Sequence, residues 1–80
     1  MLMNVDALSQ CLKAVADPSR LRLMSLCSQG ELTVSDLVRI TGYSQPRTSR
    51  HLKILQDAGL LESFREQHFN FYRANRQQPQ

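Results

Sequence analysis

Thr33-Val34-Ser35-Asp36-Leu37-Val38-Arg39-Ile40-Thr41-Gly42-Tyr43-Ser44-Gln45-Pro46-Arg47-Thr48-Ser49-Arg50-His51-Leu52-Lys53-Ile54-Leu55 sets the reading of the whole chain. Thr33 supplies a hydroxyl for free helical N–H groups and Asp36 stands three residues on, a relative of the capping box, so a short helix is predicted over 34–40. Thr41-Gly42-Tyr43 breaks it. Ser44 is a good cap for the next helix, predicted over 45–58, with Pro46 inside its first turn and Gly59 after its end. Two helices joined by a tight turn containing Gly have helix-turn-helix spacing.

Working outward toward the C-terminus, the pattern changes after Gly59. Leu60 to Arg65 and Phe69 to Arg73, separated by Glu66-Gln67-His68, are rich in aromatics and alternate in part, which predicts a two-stranded hairpin. A hairpin directly after the second helix of such a pair makes a wing. Toward the N-terminus, Val5, Leu8, Leu12 and Val15 recur at three-to-four spacing with Cys11 and Ala16 beside them, predicting an amphipathic helix over 4–16. Asp17-Pro18 then caps and starts a helix running to about residue 28, with Leu21, Met24 in part, and Leu26 or Cys27 expected inside and Gly30 expected as its C-cap. The expected fold is mainly α with a small β-hairpin, a winged helix-turn-helix of four helices and a two-stranded wing. Residues 1–74 form the domain and 75–80, rich in Gln, an unstructured tail.

The chain has 80 residues, a formal net charge of +3, 41% hydrophobic and 21% charged residues, the make-up of one small folded domain. A deep catalytic cleft is not expected at this size. No apolar run approaches the length of a membrane span, and Met1 to Asn4 is too short and lacks the basic residues of a signal peptide, so the expected address is the cytoplasm. Cys11 and Cys27 lack C-x-x-C spacing and nearby histidines, which argues against both a disulfide framework and zinc. No Ser/His/acid set, Gly-rich phosphate loop or paired carboxylates are in evidence, so an enzyme is the weakest option.

The charge is unevenly placed. Acids and bases nearly balance in 1–36 and in 57–80, whereas Arg39, Arg47, Arg50 and Lys53 occupy 37–56 with no acid among them. Such a patch attracts polyanions. At 100° per residue Thr48, Leu52 and Leu55 share a narrow arc with Ala58 flanking, and should pack on the domain. Gln45, Pro46, Ser49, Arg50 and Lys53 lie opposite, without an aliphatic among them. Gln and Arg pair with adenine and guanine edges in bidentate fashion, and a helix N-terminus points N–H groups at phosphate. Ser44 belongs to that terminus, and Arg47, at the boundary of the faces, suits backbone phosphate. Arg65 and His68, with Gln67, stand at the wing tip, where they suit phosphate or the minor groove. His51 borders the core arc and is read as a buried or capping side chain, and Tyr43, Phe64, Phe69, Phe71 and Tyr72 as core and hairpin packing.

From about residue 5 to 73 the chain resembles the ArsR/SmtB family of bacterial winged-helix repressors. The resemblance rests on Ala16-Asp17-Pro18-Ser19-Arg20-Leu21-Arg22-Leu23, on Gly30-Glu31-Leu32-Thr33-Val34-Ser35-Asp36-Leu37, on Ser44 to Leu55, on Asp57-Ala58-Gly59-Leu60-Leu61 and on Tyr72-Arg73. It implies a homodimeric, sequence-specific repressor on an inverted-repeat operator of double-stranded DNA, with Gln45, Pro46, Ser49 and Arg50 as reading positions. Arsenic- and cadmium-type members carry two cysteines between Glu31 and Leu37, where this chain has Thr33 and Ser35, hydroxyls that cannot replace thiolates. The other common metal site needs Asp, His and Glu on a C-terminal helix not found here. No metal or cofactor is therefore expected, and the helix over 4–16 has to carry more of the dimerisation. The wing also has Gln67 where the family usually has Gly. Three alternatives stay open: a repressor switched by oxidation of Cys11 and Cys27, a winged helix used only for protein pairing, and the N-terminal module of a fusion to an S-adenosylmethionine-dependent methyltransferase.

Overall fold

Each helix begins where a side chain takes over its free N–H groups, and these caps set the element order. In the computed structural model, which describes residues 4–75, α1 (Val5–Val15) follows Asn4, whose Oδ1 accepts from the Ala7 N–H at 2.7 Å. Asp17 accepts from the Arg20 N–H at 3.0 Å and Pro18 opens α2 (Pro18–Gln29). Thr33 and Asp36 form a complete capping box at the start of α3 (Val34–Thr41), each side chain bonding the other's backbone N–H at 3.1 and 3.0 Å. Ser44 caps α4 (Gln45–Asp57) by accepting from the Arg47 N–H. These starts agree with the sequence because a cap is a local event.

All three expected glycines stand at helix ends, two of them in a left-handed conformation. Gly42 (φ +78°) and Gly59 (φ +81°) lie in the left-handed region that side chains resist. After α4, Gly59 N–H reaches Gln56 O and Leu60 N–H reaches Leu55 O, the paired bonds of a Schellman ending. Gly30 is the C-cap of α2 as expected, but its φ of 179° is extended backbone that any residue adopts, so this stop does not depend on glycine's freedom.

The hairpin consists of β2 (Leu61–Glu66) and β3 (Phe69–Ala74), with Glu66 opposite Phe69 and only Gln67 and His68 between them. The sheet has a third strand that the sequence reading did not include. β1 (Leu32–Thr33) pairs antiparallel with β3, Leu32 opposite Tyr72 and Thr33 opposite Phe71, in the order β1-β3-β2. Two residues carry no detectable alternation, so such a strand is visible only through its partner. Asn75, placed with the tail by the sequence, instead donates its N–H to Leu60 O at 3.0 Å and extends the closure of the hairpin base. The remainder of the expected tail lies outside the described residues.

The core gathers Ala14, Leu23, Cys27, Leu37, Leu52, Leu55 and Leu61, with Val15, Met24, Leu26, Leu32, Val34, Tyr43, Ala58, Leu60 and Tyr72 packed around it. Leu21, expected inside, is 55% exposed, because Leu23 and Cys27 one turn apart define the inner stripe of α2 and Leu21 lies off it. On α1 only Ala14 is buried, while Val5 (80% exposed) and Leu12 (59%) face outward with Leu8. Phe69, 58% exposed near the hairpin tip, stays out of the core and packs within the hairpin, edge-on against Phe71 at 6.5 Å.

Candidate nucleic-acid interface

The inner face of α4 fixes what its outer face can present. Thr48, His51, Leu52 and Leu55 are buried, and the Thr48 hydroxyl satisfies itself by donating to Ser44 O at 2.9 Å. The arc expected inside is inside, with His51 added to it. The opposite side exposes Ser44, Gln45, Pro46, Arg47, Arg50 and Lys53, and half-exposes Ser49. A two-turn strip of amide, hydroxyl and guanidinium groups on a helix held by its buried back is a surface chemically able to pair with base edges and phosphates.

The charges on this strip are not equivalent. Lys53 Nζ lies 3.1 and 3.3 Å from the two carboxylate oxygens of Asp57, and Arg39 Nη2 lies 2.8 Å from Asp36 Oδ1. Two of the four bases in the central patch are thus answered by the acids just beyond its ends. Such exposed pairs are weak, about 0–1 kcal/mol, and exchange readily for a phosphate. Arg50 has no ion-pair or hydrogen-bond partner among the described residues and is the most available cation on the helix. Arg47 Nη2 donates to Ser19 Oγ at 2.5 Å, and its guanidinium lies 4.2 Å above the centre of the Tyr43 ring.

Behind the helix, Arg20 joins three elements. Its Nε donates to Ala14 O at 2.6 Å and its Nη2 to Lys13 O at 3.3 Å, covering carbonyls at the end of α1. Its Nη1 lies 3.3 Å from His51 Nδ1, which places the imidazole proton on Nε2 if Nδ1 is to accept. Burial holds the His51 pKa below its usual value of 6.5; the charges of Arg20, Arg47 and Arg50 add to this and Asp17 opposes it. Sequence reading treated Asp17-Pro18-Ser19-Arg20 as a helix start alone. Its reach to α4 spans 28 and 31 residues of chain, and no local pattern signals such a contact.

Arg65 and His68 stand exposed on a separate element, joined to the later part of α4 by Gln56 Nε2 donating to Ser63 Oγ at 3.0 Å. The hairpin is braced at its base and middle. Arg73 pairs with Glu62 at 2.7 Å and Glu31 at 3.0 Å and lies over the Phe64 ring, which stacks on Phe71 at 5.5 Å. At the tip, Gln67 takes φ +58° where glycine would be unstrained.

The thiols are poorly placed for a switch. Cys27 is 2% exposed and burial pushes its pKa up to about 11, which suppresses the thiolate that oxidation requires. The Cys11 thiol is half-buried and donates to Ala58 O at 3.2 Å. Thr33, one of the two hydroxyl residues expected to stand in place of thiolates, spends its hydroxyl on the α3 cap. Among the described residues no three His, Cys, Asp or Glu side chains gather as a metal site. No described helix is long and apolar enough to cross a membrane.

Known proteins share this arrangement. The profile described as "Bacterial regulatory protein, arsR family" matches residues 17–63, from the α2 cap to the third residue of β2. The arsenical resistance operon repressor of Staphylococcus xylosus is 38% identical over 73 residues, covering 91% of this chain and 70% of that protein. The transcriptional repressor SdpR of Bacillus subtilis is 33% identical over 63 residues, covering 79% and 70%. Among solved structures, the homodimeric winged helix-turn-helix DNA-binding domain of a possible ArsR-family regulator from Mycobacterium bovis superposes with a TM-score of 0.85 at 32% identity, covering 89% of this chain and 66% of that one. The relatives are named as transcriptional regulators, and the fold agrees with that of the solved winged helix-turn-helix domain. The chain belongs to the arsR family of bacterial regulatory proteins.

Proposed function

We propose that this chain is a sequence-specific DNA-binding transcriptional repressor that acts as a homodimer on an inverted-repeat operator in the cytoplasm. The observation that carries this reading is the division of α4 into a buried back, Thr48, His51, Leu52 and Leu55, and an outer strip of Ser44, Gln45, Pro46, Arg50 and Lys53 with Ser49 half-exposed among them. In the major groove, Gln45 and Arg50 contact base edges, Ser49 a base or phosphate, Pro46 a thymine methyl, and Ser44 with the α4 N-terminus a phosphate. Lys53 exchanges Asp57 for phosphate on binding. Arg65 and His68 carry the wing to the backbone or minor groove.

Dimerisation is assigned to α1, whose Val5, Leu8 and Leu12 are exposed together on a helix otherwise packed on α2 and α4. Fully burying an exposed leucine contributes about 1.5–3 kcal/mol, and Leu8 and Leu12, each about half exposed, offer roughly half of that apiece to a symmetric pairing of such stripes. Residues 1–74 serve as the DNA-binding unit.

Selection from a random duplex pool tests the reading. The expected product is a palindromic consensus with half-sites about 10–10.5 bp apart or a multiple of that, since each recognition helix enters its own major groove. Equal binding of selected and random duplexes at physiological salt would overturn it.

A further inference from the structure

Arg47 lies within the exposed strip of α4, yet its side chain is turned to protein. Nη2 donates to the oxygen of Ser19, a buried residue of the first turn of α2, and the guanidinium covers the ring of Tyr43 in the turn that precedes α4. A single planar group thus joins α2, the turn and α4. One helical turn further along, His51 meets Arg20, the neighbour of Ser19. Adjacent residues of α2 therefore hold residues of α4 that are four apart. One contact would let α4 swivel about it; two fix both its rotation and its axial position. Arg20 continues the chain of contacts to the carbonyls of Lys13 and Ala14, at the end of the helix assigned to dimerisation. A lysine could not serve in place of Arg47, since an ammonium cannot stack on Tyr43 and donate sideways to Ser19 at once.

We propose that Arg47 is a positioning residue for DNA reading, locking α4 through Ser19 and Tyr43 so that Gln45, Ser49 and Arg50 meet base edges in register, and that it is not a phosphate contact. This rests on the DNA-binding reading above. Positioning and phosphate contact leave different signatures: each phosphate neutralised adds about 0.9 to the slope of log affinity against log salt, whereas a lost orientation lowers specificity and leaves that slope alone.

The test measures the full chain on the selected duplex and on a random duplex of equal length across a salt series. Wild-type protein that failed to discriminate would overturn the DNA reading and this proposal together. Given discrimination, Arg47→Ala and Ser19→Ala are each expected to lower the selected-to-random affinity ratio about tenfold, the scale of one hydrogen bond to a charged group. The double variant should lose little more than either, the salt slope should stay within about 0.3 of wild type, and Arg47→Lys should not rescue the ratio. Circular dichroism confirms folding, and if Arg47→Ala unfolds, Ser19→Ala carries the test alone because it removes only the acceptor. A slope reduced by about 0.9 in Arg47→Ala with the ratio preserved, a silent Ser19→Ala, or rescue by Arg47→Lys would each refute the positioning role while leaving the DNA reading standing.

Discussion

α4 and the hairpin tip both present basic and amide side chains to solvent, but they are held by different means. α4 rests on four buried residues and is tied to α2 by Arg47 and His51, so its outer face inherits the rigidity of the core. From Arg65 to Asn70 the hairpin exposes every residue, and the bracing contacts of Arg73, Phe64 and Phe71 lie nearer its base. A surface that discriminates bases must be placed to a fraction of an ångström, and one that adds charge near a backbone need not be. On the proposed DNA-binding function, this difference puts specificity on the helix and general affinity on the wing.

The largest expected effect breaks the support of the helix. Leu52 is fully buried, and Leu52→Ala should cost about 2–5 kcal/mol of unfolding free energy in urea, a large share of what so small a domain possesses. Phe69→Ala, at the exposed tip, should stay within about 1 kcal/mol of wild type. Similar losses for the two would mean that the tip is as much a part of the folded core as α4.

Next come the two arginines. Arg50→Ala should weaken the selected duplex by about 1–3 kcal/mol and relax the consensus at the base it reads. Arg65→Ala should weaken selected and random duplexes alike, with the salt slope reduced by about 0.9. A gel-shift series that found the opposite assignment would reverse the division of labour between helix and wing.

Much of this was legible in the sequence because the informative signals were local. Asp17-Pro18, the Thr33/Asp36 box, Ser44 and the glycines at 42 and 59 each punctuate the chain within four residues, so helix limits came out within a residue or two. The outer strip of α4 followed from periodicity. What could not be read depends on distant partners. β1 exists only against β3, Leu21 points out because Leu23 and Cys27 point in, and Asn75 is held by Leu60. The positive patch was also broader on paper than in space, since Asp36 and Asp57, just outside or at its edges in sequence, fold back onto Arg39 and Lys53.

A smaller effect sharpens the picture of the back of α4. Because burial keeps the folded-state pKa of His51 below 6.5, the unfolded chain takes up a proton there at a pH where the folded one does not. Stability is therefore unaffected by this group above pH 6.5 and falls as pH drops below it toward the folded value. One group cannot exceed a slope of about 1.4 kcal/mol per pH unit. Asp17 and Asp36, whose pKa values lie below 3.8 mainly through backbone hydrogen bonds, add losses only in a more acidic window. Urea midpoints taken from pH 7.5 to 5 should decline for wild type and stay level for His51→Gln. A decline in both would place the sensitive group elsewhere.

The smallest effect concerns the tip itself. Gln67 holds φ +58° in a two-residue connection, a conformation that costs a side-chain-bearing residue about 1 kcal/mol and glycine almost nothing. Part of that gain is offset because glycine also enlarges the freedom of the unfolded chain. Gln67→Gly should therefore stabilise the protein by only about 0.5 kcal/mol in thermal or urea unfolding, with the register Glu66 opposite Phe69 preserved. The same substitution should leave the selected-to-random affinity ratio unchanged, because the wing carries no base reading in this assignment. A stabilised variant with altered sequence preference would show that the tip takes part in discrimination despite its weaker bracing, and the contrast between helix and wing would then be one of rigidity alone.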